Sequence, residues 1–173
     1  MNQAGPGVAA QDLRAVALQL GREPRGLREV AHRCTCGLPD VVATDPRLPD
    51  GTPFPTYYYL TCPRRASAVS TLEAAGVMRS MQDRLRADAE LASAYRRAHD
   101  DYLRRRTAVQ EIPEVEGVSA GGMPDRVKCL HVLVAHALAA GPGVNPLGDE
   151  TLALLAESAE GHSSPCIDVS DAS

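Results

Sequence analysis

Three short strand-like segments follow one another early in this chain, and most of the remainder has the hydrophobic periodicity of helices. The segments cover residues 27–33, 41–44 and 56–61, where apolar residues alternate or β-branched and aromatic residues are concentrated. Turn-forming residues separate them, so consecutive strands would pair as an antiparallel meander. Strands followed by helices predict an α+β fold. We expect a small antiparallel sheet of about three strands packed against four to six helices.

Hydrophobic residues spaced three or four positions apart predict helices on both sides of the strands. The helix predicted to begin at Pro124 is apolar nearly all round, so we expect it at the centre of the fold. Residues 78–106 are predicted to form one long amphipathic helix with mixed charges on its outer face. The remaining predicted helices cover residues 12–20, 63–75 and 149–157.

The composition is typical of one globular domain with loose ends. Of the 173 residues, 44% are hydrophobic and 23% are charged, which is enough to bury a core. We expect a flexible leader at residues 1–10, a single domain at 11–158 and a disordered polar tail at 159–173. The net charge of −4 argues against binding nucleic acid over the whole surface, so no nucleic-acid partner is expected.

Two features bear on where the protein is expected to work. Its N-terminus lacks the basic start and apolar run of a secretory signal. Its longest apolar stretch, residues 127–140, is interrupted by Lys128 and two histidines and is too short to span a bilayer. We therefore expect a cytoplasmic protein without membrane insertion, whose cysteines are kept reduced.

Three of the five cysteines lie at the rims of the predicted strands. Cys34 and Cys36 follow the first strand, and Cys62 follows the third. In an antiparallel meander the first strand ends, the second begins and the third ends at the same edge of the sheet. The three thiols are therefore predicted to cluster at that edge.

A cluster of reduced thiols predicts a metal site, because zinc and iron–sulfur clusters both take four sulfur ligands. The predicted fourth ligand is Cys129 or His136, seven residues apart on one face of the central helix, with His131 and His32 as alternatives. Zinc is preferred to an iron–sulfur cluster, although C-x-C is less common than C-x2-C in zinc sites. The competing interpretation is that the cysteines are unconnected small hydrophobic residues.

Other polar residues support weaker hypotheses. Cys62 precedes Pro63 and two arginines, a setting that would activate a reactive thiol at a helix start. Arg126 and Lys128 follow two glycines before the predicted central helix and would bind a small anionic ligand such as phosphate. The alternative for that segment is a pair of loops that cap the helix. His162 and Cys166 lie in the polar tail, where no role is predicted.

Several longer strings resemble one known family. They are CTCGLPDVV, DGTPFPTYYYLTCP, LEAAGVM and GGMPDRVKCLHVLVAHALAAGPGVNPLGDE, in this order. On these strings the chain resembles the actinobacterial family catalogued as domain of unknown function 501, over roughly Asp12 to Leu154. The resemblance implies a cytosolic bacterial protein without an established activity. It also implies that the gene lies near those of an exopolyphosphatase and a small cell-division membrane protein.

These observations favour a metal-binding protein whose thiolate site joins the sheet edge to the central helix; they do not decide whether it is an enzyme. One alternative is a non-enzymatic adaptor or regulator linked to cell division or envelope growth, with the 78–106 helix as the surface for a protein partner. The other alternative is an enzyme that handles phosphate or polyphosphate through Arg126 and Lys128.

Overall fold

A computed structural model of the protein describes residues 7–158 and 166–168. Most of the predicted leader at 1–10 and most of the predicted tail at 159–173 lie outside the described residues. Within the described part, six α-helices pack against a three-stranded antiparallel sheet, as the sequence predicts. No helix in that part is both long and apolar enough to cross a membrane.

The sheet is a meander in the strand order β1-β2-β3. Its strands are β1 at Leu27–Arg33, β2 at Pro39–Thr44 and β3 at Tyr58–Leu60. The central strand is buried at every residue. Val41 belongs to the main core, whereas Val42 packs with Val16 on the opposite face. Because both faces are covered, the central strand is apolar on both sides, and its sequence does not alternate.

A tight turn joins β1 to β2 and carries the first two cysteines. The Cys34 amide donates to the carbonyl of Leu38 at 2.9 Å, and the Gly37 amide donates to the carbonyl of Cys34 at 2.8 Å. Gly37 has φ of 85°, in the left-handed region that residues with a Cβ seldom adopt. This conformation reverses the chain within the turn and holds Cys34 and Cys36 at the edge of the sheet.

The helices cover both faces of the sheet, with the first helix on the side of Val42, through Val16, and the main core on the side of Val41. The first, α1, ends where Gly21 adopts the left-handed C-cap that its position predicts. Pro63 occupies the first turn of the helix that follows the sheet, and Gly76 separates that helix from the next. The helices are α1 at Ala10–Leu20, α2 at Pro63–Ala74, α3 at Val77–Ala87, α4 at Ala89–Thr107, α5 at Leu130–Ala140 and α6 at Pro146–Ser158.

The prediction of one continuous helix over residues 78–106 is wrong, because the helix is interrupted at Asp88. This residue has an extended backbone, and its carboxylate accepts hydrogen bonds from the amides of Glu90 and Leu91 at 2.9 and 3.0 Å. It thus caps the start of α4. The apolar periodicity does not reveal the break, since buried residues such as Leu85 and Tyr95 lie on both sides of it.

The prediction that the central helix begins at Pro124 is also wrong. Pro124 follows a cis peptide bond, and the chain from Gly121 to Lys128 is a loop closed by its own backbone hydrogen bonds. The helix, α5, begins at Leu130, whose amide donates to the carboxylate of Glu73 at 2.7 Å. The last helix begins earlier than expected, at Pro146, because the side chain of Asn145 caps it by accepting from the amide of Gly148 at 3.0 Å.

The α5 helix lies at the centre of the core, as its composition predicts. It contacts β3, α2 and α6, and Leu130, Leu133 and Val134 are fully buried. Two tyrosines of α4, Tyr95 and Tyr102, are the largest fully buried side chains. The core therefore combines α5, which is rich in Leu, Val and Ala, with aromatic rings from a neighbouring helix.

The packing of α6 on α5 predicts a measurable effect of one methyl group. A Cβ at Gly148 would collide with the carbonyl oxygen of Leu133 and would lie 2.7 Å from the Cβ of Ala137. We expect Gly148→Ala to lower the free energy of unfolding by about 1–3 kcal/mol, because backbone groups cannot move aside as flexible side chains do. Urea denaturation followed by circular dichroism measures this change.

Gly7→Ala is the matched control, because nothing lies within 4 Å of a Cβ at that position. We expect its unfolding curve to match that of the unmodified chain to within about 0.5 kcal/mol. Equal stability of the Gly148→Ala variant would contradict the close packing of α6 on α5.

Candidate metal centre

Four cysteines converge from three parts of the chain. Cys34 and Cys36 lie in the β1–β2 turn, and Cys62 is the N-cap residue between β3 and α2. The fourth is Cys166, in the short described segment after α6. The meander therefore brings the first three cysteines to one edge of the sheet, where the C-terminal segment meets them.

The sulfur atoms are spaced like ligands that share one ion. The Sγ of Cys166 lies 3.2 Å from that of Cys36 and 3.5 Å from that of Cys34, and all three lie within 4.8 Å of one another. Two thiolates bound to one tetrahedral zinc at about 2.3 Å would lie about 3.8 Å apart. A disulfide would require about 2.05 Å, and the cysteines here are free.

Cys62 completes the group of sulfurs. Its side chain is 2% exposed, and its thiol hydrogen-bonds that of Cys166. Cys34, Cys62 and Cys166 line one cavity between the β1–β2 turn, the start of α2 and the end of α6. The donors are therefore a close group of three thiols, from Cys34, Cys36 and Cys166, to which Cys62 is joined through Cys166.

The surroundings favour a thiolate at one of these positions. Burial opposes ionisation of Cys36, but the backbone amides of Leu38 and Cys166 donate to its sulfur, and the thiols of Cys166 and Cys34 add hydrogen bonds. Together these contacts lower the pKa of Cys36 to about 7. Burial and the three neighbouring sulfurs raise the pKa of Cys166. The cluster therefore stabilises one thiolate, at Cys36, and opposes a second one, at Cys166. A bound cation would stabilise the additional thiolates.

A buried carboxylate anchors the wall of the cavity. Asp40 in β2 is fully buried, and its side chain contacts the ring of His32 at 2.7 Å and the guanidinium of Arg65 at 3.3 Å. Arg65 lines the cavity beside the cysteines. Asp40 thus holds the positive charge of Arg65 beside thiols that would carry negative charge when they bind a metal.

The structure does not bring Cys129 to this cluster. It forms a separate group with Glu73 and His131, whose donor atoms all lie within 4.8 Å of one another. Its predicted pairing with His136 on one helix face requires a helix that runs through both residues. Cys129 instead has an extended backbone as the N-cap residue of α5, so its side chain does not follow the helical face.

His136 also lies apart from the cysteines, in a polar network inside the core. The Nδ2 of Asn145 donates to its Nδ1 at 3.2 Å, and its Nε2 donates to Asp101 at 3.0 Å. The amide of Gly148 donates to the Asn145 oxygen and so fixes the orientation of that side chain. The ring stacks on Tyr58 at a centroid distance of 5.9 Å. Both ring nitrogens of His136 are thus engaged within the core.

Arg126 and Lys128 do not lie in the first turns of a helix, where they were predicted to bind an anion. Both are exposed and belong to the loop before α5, in which their amides donate to the carbonyls of Gly122 and Gly121. The N-terminus of α5 faces the carboxylate of Glu73. The helix start therefore already has an anionic partner, and binding of a small anion by Arg126 and Lys128 stays a prediction without help from that helix start.

Sequence reasoning missed Cys166 and Glu73 as members of the two groups. Cys166 lies 104 residues after Cys62 in a polar segment, so no periodicity connects it to the sheet. The number of cysteines could have indicated it, since three clustered cysteines need a fourth ligand and the chain has five cysteines. Glu73 follows the helical spacing of Ala66 and Ser70 on α2, but nothing in that spacing indicates a partner on α5.

Comparison with known proteins gives one match. The model of the family described as "Protein of unknown function (DUF501)" matches residues 30–153. This range contains Cys34, Cys36 and Cys62 as well as Glu73, Cys129 and His131, whereas Cys166 lies beyond it. No curated protein and no solved structure matches the chain.

The His136 network predicts a loss of stability in mild acid. Burial lowers the pKa of His136 more than Asp101 raises it, and burial also lowers the pKa of His99. The unfolded chain gains protons as the pH falls below about 6.5, but the folded chain resists protonation at these rings. We expect the free energy of unfolding to fall below about pH 6.5 by up to about 1.4 kcal/mol per pH unit for each ring.

Urea denaturation between pH 7 and pH 5 tests this expectation. In protein stripped of metal, His136→Gln should show a shallower pH dependence than the unmodified chain, because one of the two buried rings is removed. The hydrogen bond from Arg33 lowers the pKa of Asp12, and hydrogen bonds from Arg105 and His136 lower that of Asp101 despite its burial, so these carboxylates contribute only in stronger acid. Identical slopes for the two proteins would show that His136 is not held neutral.

Proposed function

This chain belongs to the DUF501 family of proteins of unknown function, and from its own geometry we propose that it binds zinc through Cys34, Cys36, Cys62 and Cys166. The observation that carries the proposal is the distance between sulfurs, 3.2 and 3.5 Å from Cys166 to its two neighbours in the turn. These distances are close to the spacing of about 3.8 Å between two sulfur ligands of one tetrahedral zinc, so the thiols need to separate by only about 0.3–0.6 Å to bind an ion.

The donor set favours zinc over an iron–sulfur cluster. Four sulfurs around one point suit a single tetrahedral ion, whereas a cluster distributes its cysteines over two or more iron atoms. The turn also supports a thiolate ligand, because the amides of Leu38 and Cys166 donate to the sulfur of Cys36. Such amide donors stabilise a bound thiolate and orient it as a ligand.

The proposed role of this zinc is to hold three chain segments together. The ligands come from the β1–β2 turn, the start of α2 and the segment after α6. Zinc sites with four protein ligands are closed, so no position remains for a substrate. Zinc binding in small domains contributes folding free energy directly, with apparent values of about 10–16 kcal/mol in zinc-finger peptides.

A closed site favours a non-enzymatic adaptor or regulator as the role of this centre. In that case the partner surface is the charged outer face of α3 and α4, the two helices that replace the predicted 78–106 helix. Mixed charges on that face, such as the Arg86–Asp83 pair, would give specificity more than affinity.

Metal analysis of protein purified without oxygen tests the centre. We expect Cys→Ser at positions 34, 36, 62 or 166 to remove one equivalent of zinc relative to the unmodified chain. Cobalt substituted for zinc should give the intense sulfur-to-metal absorption of a four-thiolate site, and each of these variants should weaken it. Thr35→Ala is the matched control, because Thr35 lies between the two cysteines of the turn and lines the same cavity but is not a proposed ligand.

Absence of zinc from the purified protein, or a zinc content that is unchanged in all four variants, would overturn the proposal. Loss of the four-thiolate cobalt absorption on Cys129→Ser, together with its retention on Cys166→Ser, would transfer the fourth position to the residue first predicted from the sequence.

Chelation should destabilise the fold if the zinc joins these segments. With free zinc about 1,000 times above its dissociation constant, removing the metal should lower the free energy of unfolding by about 4 kcal/mol. Thermal or urea unfolding with and without chelator measures the difference. The loss of stability caused by chelator should be smaller in Cys34→Ser than in the unmodified chain. An equal loss in that variant would show that the stabilising metal binds elsewhere.

A further inference from the structure

We propose that Glu73, Cys129 and His131 form a second site for zinc or a similar divalent transition metal, with three protein ligands and one open position. Glu73 lies in α2, Cys129 is the N-cap residue of α5, and His131 lies in its first turn. The two groups of donors share no residue, so each would bind its own ion.

The donor atoms have the spacing of ligands around one ion. A carboxylate oxygen of Glu73 lies 3.2 Å from Nδ1 of His131, and the sulfur of Cys129 lies within 4.8 Å of both partners. Oxygen and nitrogen ligands bound to one tetrahedral zinc at about 2.0–2.1 Å would lie about 3.3 Å apart. A small movement of the thiol is therefore enough to complete a three-ligand set.

The second nitrogen of His131 supports the same assignment. Its Nε2 lies 3.1 Å from the carbonyl oxygen of Ala66, so this nitrogen carries the hydrogen and donates. In the neutral ring Nδ1 then presents a lone pair towards the carboxylate of Glu73. Two acceptors at this distance repel unless a proton or a metal ion lies between them. Metal-bound histidines commonly donate their other ring hydrogen to a backbone carbonyl in this way.

The start of α5 also orients Glu73. The amide of Leu130 donates at 2.7 Å to Oε1 of Glu73, the same oxygen that lies beside Nδ1 of His131. The side chains of Glu73 and His131 are 23% and 28% exposed. They are buried enough to hold a fixed geometry and exposed enough for an ion to enter.

One side of the group opens to a cleft. Cys129 and His131 line it together with Tyr58, Tyr59 and Thr61. Three protein ligands leave the fourth position of a tetrahedral zinc for water or a small ligand, as in catalytic sites. An ion here would activate bound water by lowering its pKa, which the closed four-thiolate centre cannot do.

Zinc titration by calorimetry, with unfolding curves for each variant, tests the second site. We expect Glu73→Gln, Cys129→Ser and His131→Ala each to weaken one equivalent of zinc by at least about 100-fold. The amide oxygen that Glu73→Gln introduces would still accept from Leu130, so that change removes the charge without removing the helix cap. Ser70→Ala is the matched control, because Ser70 contacts the ring at 3.3 Å but is not a proposed ligand.

The ring nitrogens of His131 provide a second measurement. On zinc addition, the Nδ1 signal in nitrogen NMR should shift while the Nε2 hydrogen remains. Titration of this signal by pH alone, with no response to zinc, would overturn the site in favour of a protonated imidazole. An unchanged affinity in all three variants would overturn it as well.

The double variant Cys34→Ser/Cys36→Ser separates this proposal from the first one. We expect it to retain the zinc that Glu73→Gln loses. If the four-thiolate centre fails as a zinc site, the double variant binds as much zinc as the unmodified chain while His131→Ala still loses one equivalent. If the double variant loses all zinc and His131→Ala loses none, only the second site is overturned.

Discussion

The burial of α5 is the constraint on which the rest of the structure depends. Leu130, Leu133 and Val134 are fully buried, with β3 against one part of the helix and α6 against another. Polar contacts then position its neighbours. Glu73 of α2 accepts a hydrogen bond from the first amide of α5, and His136 donates one to Asp101 of α4. Because each of these groups is costly to bury without its partner, the helices can assemble in few other ways.

The two donor groups depend on this core to different degrees. The Glu73 group lies on two helices that pack against each other, so its oxygen and nitrogen are held close by contacts that need no metal. The cysteine cluster lies at the edge, where a turn, a helix start and a C-terminal segment meet. Weak thiol contacts alone give little stability there, since sulfur is a poor donor and acceptor. A bound ion would therefore contribute more to order at the edge than in the cleft.

The features that could be predicted from the sequence are those set by a few neighbouring residues. The strands, the C-cap at Gly21 and the helix start at Pro63 each depend on a few adjacent residues, and the structure confirms them. The break at Asp88 was missed because apolar periodicity continues across it, and only the capping hydrogen bonds end one helix and begin another. The start of α5 was misplaced because an apolar run cannot show where a loop closes on itself, as the loop from Gly121 to Lys128 does.

The sequence by itself determined the α+β architecture and the meeting of Cys34, Cys36 and Cys62 at one edge, because strand order and turn length are local properties that dictate where neighbouring strands end. Only the tertiary structure decided the remaining partners. It placed Cys166 with these thiols, joined Cys129 to Glu73 and His131, and enclosed His136 in the core. Most of these pairings join residues that lie far apart in the chain, 35 positions for His136 and Asp101 and 132 for Cys166 and Cys34. Their geometry arises from how helices and loops pack in three dimensions, which no spacing along the chain records.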